Sequence, residues 1–112
     1  MLRYEKYITA KEGLNIMNKL HDEKIDFLFK GILTLENVAE CYSFFEDLCT
    51  VAELQEMSKR LLAAKMLKEN YIYTEIAERT GLSTATISRV NRCLKYGSDG
   101  YITVLERLER MK

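Results

Sequence analysis

Gly81 constrains the fold of this chain more than any other residue. It follows Ala77 by four positions and separates two short segments, 74–80 and 83–94, whose apolar residues recur at helical spacing. A chain that ends one helix and turns at once into another needs a residue that tolerates positive φ, and glycine does so without a Cβ clash. The neighbours agree with that turn. Ala77 is small enough to let a second helix cross close by, Leu82 supplies an apolar contact just past the turn, and Ser83 can cap the first free amides of the next helix. Ile87, Val90 and Leu94 then recur at three- and four-residue intervals and form a stripe to be buried. The spacing predicts a helix-turn-helix over residues 73–96.

The face opposite that stripe follows from the advance of about 100° per residue. It carries Ala85, Ser88, Arg89 and Arg92, with Ser83, Thr84 and Thr86 at the first turn and Lys95 at the flank. From 83 to 96 there are three basic residues and no acidic one, in a chain whose 17 basic and 17 acidic residues give a net charge of +0. The electrostatic case for a nucleic-acid partner is therefore local, not global. Small hydroxyl residues let a helix sit deep in a groove. Arginines can fork onto guanine or neutralise phosphate, and helix N-terminal amides favour phosphate. The expected DNA-binding set is Ser83, Thr84, Ala85, Thr86, Ser88, Arg89, Arg92 and Lys95.

The frame around this unit reads as all-α. The 112 residues contain no proline and five glycines, a scarcity of breakers that favours about six helices over a turn-rich β fold. With 47% hydrophobic residues, one helical domain over 21–112 can form a core. Residues 1–20 give mixed signals and are assigned to an arm or a short helix. From Asp22, the residues Ile25, Leu28, Phe29 and Ile32 lie at i, i+3, i+4, i+7, and Gly31 falls near the end of that helix. Thr34 is expected to cap a second helix with the apolar stripe Leu35, Val38, Cys41, Tyr42, Phe45 and Leu48. These two stripes exceed what one small helix-turn-helix can cover, which points to a homodimer.

Thr50 and Glu53 have capping-box spacing and open a helix from Val51 to about Glu69. On it, Leu54, Met57, Leu61, Leu62 and Met66 should face inward, with Lys59, Arg60, Lys65 and Lys68 solvated. Tyr96-Gly97 should end the recognition helix with Gly97 beyond its last turn, and Asp99 should cap a final helix, 101–112, carrying Ile102, Leu105 and Leu108.

Other chemistries find little support. Cys41, Cys49 and Cys93 are widely spaced and odd in number, and are read as small buried apolar residues. His21 is the only histidine and is read as a surface residue, and no close-set metal ligands occur. There is no Gly-rich phosphate loop and no histidine near a nucleophile, so an enzyme is not expected. No apolar run is long enough to span a membrane or to form the core of a signal peptide, which places the chain in the cytoplasm.

The segment 75–95, with ATISR at 85–89, resembles the tryptophan repressor superfamily. The run ECYSFFEDLCT at 40–50, STATISRVNRCL at 83–94 and the Tyr-Gly that follows are similar to its YerC/YecD branch. The resemblance covers roughly 22–110. It implies an intertwined, all-helical homodimer that presents two recognition helices to a palindromic operator on double-stranded DNA in a bacterial cell.

In the tryptophan-binding relatives an indole lies between two arginines. Arg60 and Arg89 match those positions, the first with one residue deleted in the 68–74 connection, and Thr50 matches a ligand-contacting threonine. The residue after Arg89 is glycine in those relatives and Val90 here, and a contacting serine is replaced by Cys93. The resemblance thus gives Thr50, Arg60, Arg89 and Cys93 as a possible small-ligand site, with no cofactor expected and no need for tryptophan. The reading is a transcriptional repressor. The alternative is a helical protein–protein interaction module built on the same scaffold, and salt dependence of binding separates the two.

Overall fold

Helix α1 begins where its first free amides find an acceptor. Asp22 stands at the N-cap in an extended conformation, its carboxylate accepts the Lys24 N–H at 2.6 Å, and the helix runs Glu23–Ile32. A computed structural model describes residues 22–111, and among these all regular structure is helical. The expectations for residues 1–20 and for His21 lie outside the described residues. Five more helices follow: α2 Val38–Leu48, α3 Val51–Lys68, α4 Tyr73–Thr80, α5 Thr84–Tyr96 and α6 Gly100–Arg110. The chain divides into two compact units at Leu48/Cys49.

The first unit holds α1 and α2, and neither helix has a buried residue. Apart from Leu35, which lies in the connection, both expected stripes are helical; Ile25, Leu28, Ile32, Leu35, Cys41 and Phe45 are half-buried, whereas Phe29, Val38, Tyr42 and Leu48 are exposed. Thr34 does not cap α2. Its hydroxyl donates to the Gly31 carbonyl at 2.6 Å, tying off the end of α1, and the next residues form the connection. Asn37 takes the capping role: its side-chain oxygen accepts the Glu40 N–H at 2.8 Å, while the Glu40 carboxylate accepts the Glu36 N–H at 2.9 Å. Free carbonyls at the end of α1 compete for the Thr34 hydroxyl, and the nearer competitor wins.

The second unit is organised by α3, which spans about 27 Å at 1.5 Å per residue. Its start is the expected reciprocal capping box. Thr50 N–H donates to Glu53 Oε1 at 2.8 Å, and Glu53 N–H donates to Thr50 Oγ1 at 3.1 Å. The bond from the Thr50 backbone, followed by the bond to its side chain, holds the Glu53 carboxyl below its ordinary range. A carboxyl with a lowered folded pKa stabilises above its unfolded pKa, and that contribution is lost as pH falls through the folded value. We therefore expect an acid titration monitored by circular dichroism to show that Glu53→Gln is less stable than the parent near neutral pH. The gap should close as the medium becomes more acidic than the ordinary carboxylate range.

The core lies on two sides of the last turns of α3. On one side Ala63 and Met66 meet Ile76, Leu82 and Ile87, flanked by Leu67, Tyr71, Tyr73 and Ala77. On the other Ala64 meets Val90 and Leu105, flanked by Leu61, Leu67, Leu94 and Tyr101. Ala63 and Ala64 are both fully buried, and their small side chains let α5 approach the axis of α3. The expected inward face of α3 is thus corrected: Leu61 is half-buried and Met66 buried, whereas Met57 and Leu62 are exposed in the single chain. The cysteines are corrected too. Cys41 and Cys49 are only partly covered and Cys93 is exposed, because it lies on the outer flank of α5.

Gly97 ends α5 as expected, in an extended conformation with φ −87° and ψ −152°. It is glycine because a Cβ there would collide with the Cys93 carbonyl oxygen, which accepts the Gly97 N–H at 2.9 Å. Asp99 precedes α6 but its side chain makes no capping bond, since the residue sits in the left-handed region at φ 64°. Asn70 adopts φ 68° after α3, a conformation that asparagine tolerates better than most residues.

Candidate nucleic-acid interface

The turn between α4 and α5 is built by Gly81 and by a residue whose part the sequence concealed. Gly81 closes α4 at φ 77°, ψ 4°, and its N–H donates to the Ala77 carbonyl at 2.8 Å. A Cβ there would meet no atom within 4 Å, so the positive φ alone selects glycine. Thr80 is buried, and its hydroxyl serves both sides of the turn. It donates to the Ile76 carbonyl at 2.7 Å and accepts the Leu82 N–H at 3.1 Å. Threonine at the end of a helical segment is ordinarily exposed, so its spacing carried no signal of this role. Thr80→Val keeps the shape and leaves the buried Leu82 N–H without a partner, which should cost about 1–3 kcal/mol of unfolding free energy in urea titration.

Ser83 begins α5 as expected. Its hydroxyl oxygen accepts the Thr86 N–H at 3.1 Å and its proton goes to Thr86 Oγ1, also at 3.1 Å. The Ser83 donor is thereby engaged within the first turn, while the Thr86 hydroxyl retains its own. The stripe Ile87 and Val90 is buried and Leu94 half-buried, and this anchors α5 against α3. On the far side Ser83, Thr84, Ala85, Ser88, Arg89, Arg92 and Lys95 are all exposed, and Thr86 is half-buried. Every residue of the expected DNA-binding set therefore lies on one helix, with seven of the eight exposed. Among the described residues no ion pair involves Arg89, Arg92 or Lys95.

The charge pattern sharpens this face. Residues 22–48 carry Asp22, Glu23, Asp26, Glu36, Glu40, Glu46 and Asp47 against Lys24 and Lys30. Net neutrality thus conceals an acidic segment, offset by the basic α5 and by the basic excess of residues 1–21.

The small-ligand set divides. Arg60 and Cys93 both act on the Tyr101 phenol, whose pKa is raised chiefly by burial, lowered by Arg60 and raised by Cys93. Arg89 lies one turn before Cys93 on α5. Thr50 stands ten residues from Arg60 along α3, about 15 Å of helix rise, so one chain alone does not gather all four. Val90 is 3% exposed and fills the space between α5 and Ala64.

A buried stripe on α5 packed against α3, a glycine turn and an exposed, acid-free basic face on the same helix define a helix-turn-helix protein. The model of the family described as Trp repressor protein matches residues 23–109, and the chain belongs to that family, whose members are DNA-binding regulators rather than enzymes. It is 50% identical over 93 residues to YerC of Bacillus subtilis (strain 168), an uncharacterized protein, covering 83% of this chain and 89% of the relative. A crystal structure of a TrpR-like protein from Eubacterium eligens is 54% identical, with a TM-score of 0.79 over 82% of this chain and 95% of that one. A second, from Staphylococcus aureus and provisionally called a Trp repressor, is 53% identical, with a TM-score of 0.79 over 83% and 93%. Fold and branch agree with the sequence reading. Among the described residues no helix is long and apolar enough to cross a membrane.

Proposed function

We propose that this protein is a homodimeric, sequence-specific repressor that reads a palindromic operator with α5 and does so without tryptophan, in the cytoplasm of a bacterium. The observation that carries the reading is the exposed face of α5. Thr84, Ala85, Ser88, Arg89 and Arg92 stand together on a helix whose other side is fixed in the core. Such a face can enter a major groove, where hydroxyls and guanidinium groups find base edges and phosphates.

Pairing of two chains is supported by what a single chain leaves uncovered. Phe27, Leu33, Val38, Tyr42 and Val51 are large, apolar and more than 60% exposed. Fully burying side chains of this kind stabilises by about 1.5–3 kcal/mol each, an amount that favours a second copy over water. Sedimentation should give twice the mass of the 13.1 kDa chain.

Independence from tryptophan rests on Val90. It stands where the tryptophan-binding relatives of the resemblance have glycine, and its side chain is buried against Ala64 and Leu105. Calorimetric titration with L-tryptophan should show no micromolar binding, and micromolar binding would overturn this part. In-vitro selection from a random DNA pool, with and without amino acids, tests the whole reading. An enriched inverted repeat is expected in both conditions, and recovery of no sequence preference would count against the operator-reading role.

A further inference from the structure

A helix pair joined at one end can open and close about its turn unless something joins the other end. Here α4 and α5 meet at Gly81 to Ser83, and Tyr73 lies eight residues back from Gly81 while Asn91 lies eight residues on from Ser83. Both stand about 12 Å from the turn at 1.5 Å per residue. Asn91 Nδ2 donates to the Tyr73 hydroxyl oxygen at 3.0 Å, and both residues are half-buried. Among the described residues no other side chain–side chain hydrogen bond joins two helices.

We propose that Tyr73 and Asn91 are positioning residues that brace the helix-turn-helix and hold the recognition helix at the angle DNA reading requires; the inference rests on the operator-reading function above. Apolar contacts hold both helices to the core, through Ile76, Leu82 and Ile87 near the turn and through Val90 and Leu94 farther along α5, but they are non-directional, so small rotations cost them little. A hydrogen bond across the open side of the triangle is directional. Without it, a rotation of about 10° would move the far part of α5 by about 2 Å at that radius, enough to stretch a base-edge hydrogen bond beyond its range. Phosphate attraction falls off more gently with distance and tolerates such a shift. The brace therefore acts on sequence discrimination more than on general attraction to DNA. Intrinsic bracing also gives the helix pair a fixed geometry with no ligand bound.

The test is a double-mutant cycle on DNA binding with the full chain, using Tyr73→Phe, Asn91→Leu and the pair. Each protein is measured against the selected operator and against a scrambled duplex, well below its melting transition, with melting recorded in parallel. The expected result is a loss of about five- to tenfold in operator affinity for each single variant and for the double, the size of one net hydrogen bond. Scrambled-duplex affinity and salt slope should stay at parental values. Operator affinity unchanged in Tyr73→Phe, equal losses on both duplexes, or additive losses in the double variant would overturn the brace. A lowered melting temperature with discrimination intact would likewise mean structural support only. Failure of the parent to distinguish operator from scrambled duplex would instead overturn the function on which the inference stands.

Discussion

Ile87→Ala should lower the unfolding free energy by about 2–5 kcal/mol, the range for truncating a fully buried isoleucine to alanine. Ile87 is 0% exposed and joins the cluster in which α3, α4 and α5 meet, with Ala63 and Met66 on one side and Ile76 and Leu82 on the other. Ala63 is too small to move into the space, so much of the cavity would persist. The total stability of a domain this size is commonly about 5–15 kcal/mol, so the variant should lose much of its margin. Urea unfolding of parent and variant gives the comparison directly. A loss below about 0.5 kcal/mol would mean that Ile87 is not the centre of this core.

Arg89→Ala should weaken operator binding by about 1–3 kcal/mol while leaving unfolding stability nearly unchanged. Arg89 is exposed, lies between Ser88 and the buried Val90, and has no ion-pair partner among the described residues. Its removal opens no cavity and leaves no buried group unsatisfied, so the effect belongs to binding. If Arg89 forks onto a base, discrimination at one position of each half-site should relax. If it meets phosphate, affinity should fall evenly across sequences and the salt slope should drop by about one. Electrophoretic mobility shift at constant salt, on the operator and on single-base variants, separates the two. Unchanged affinity on every duplex would contradict the assigned reading face.

Most of the reading helix was legible before its structure, because three independent signals converge on it. Gly81 marks the turn, Ser83 marks the start, and Ile87, Val90 and Leu94 mark the inner side, so the outer side follows by geometry. Thr50 and Glu53 were legible for the same reason, a local pattern with one chemical solution. What escaped depends on packing between helices or on competition between neighbours. Ala63 and Ala64 carry little apolar weight, yet they are buried because the crossing of α5 needs small residues. Thr80 looks like a helix-end hydroxyl and becomes the internal link of the turn. Thr34 has a choice of acceptors and takes the Gly31 carbonyl. The hydrogen bond from Asn91 to Tyr73 joins residues eighteen apart, so neither residue announces it locally.

The exposed apolar residues of α1 and α2 mark another limit. Their periodicity identified helices correctly, and it also identified a face to be covered. Periodicity does not say by what, because the same stripe suits an intramolecular core and a contact with another chain.

In the proposed function the exposed side of α5 binds DNA through phosphates and bases together. The most direct measurement is the affinity for the selected operator as a function of salt concentration. A straight, steep decline of log affinity with log salt is expected, with about 0.9 of slope for each phosphate neutralised, and a shallower slope for Arg92→Ala. An affinity that does not change with salt would contradict it and would assign the helix-turn-helix to an apolar protein interface instead.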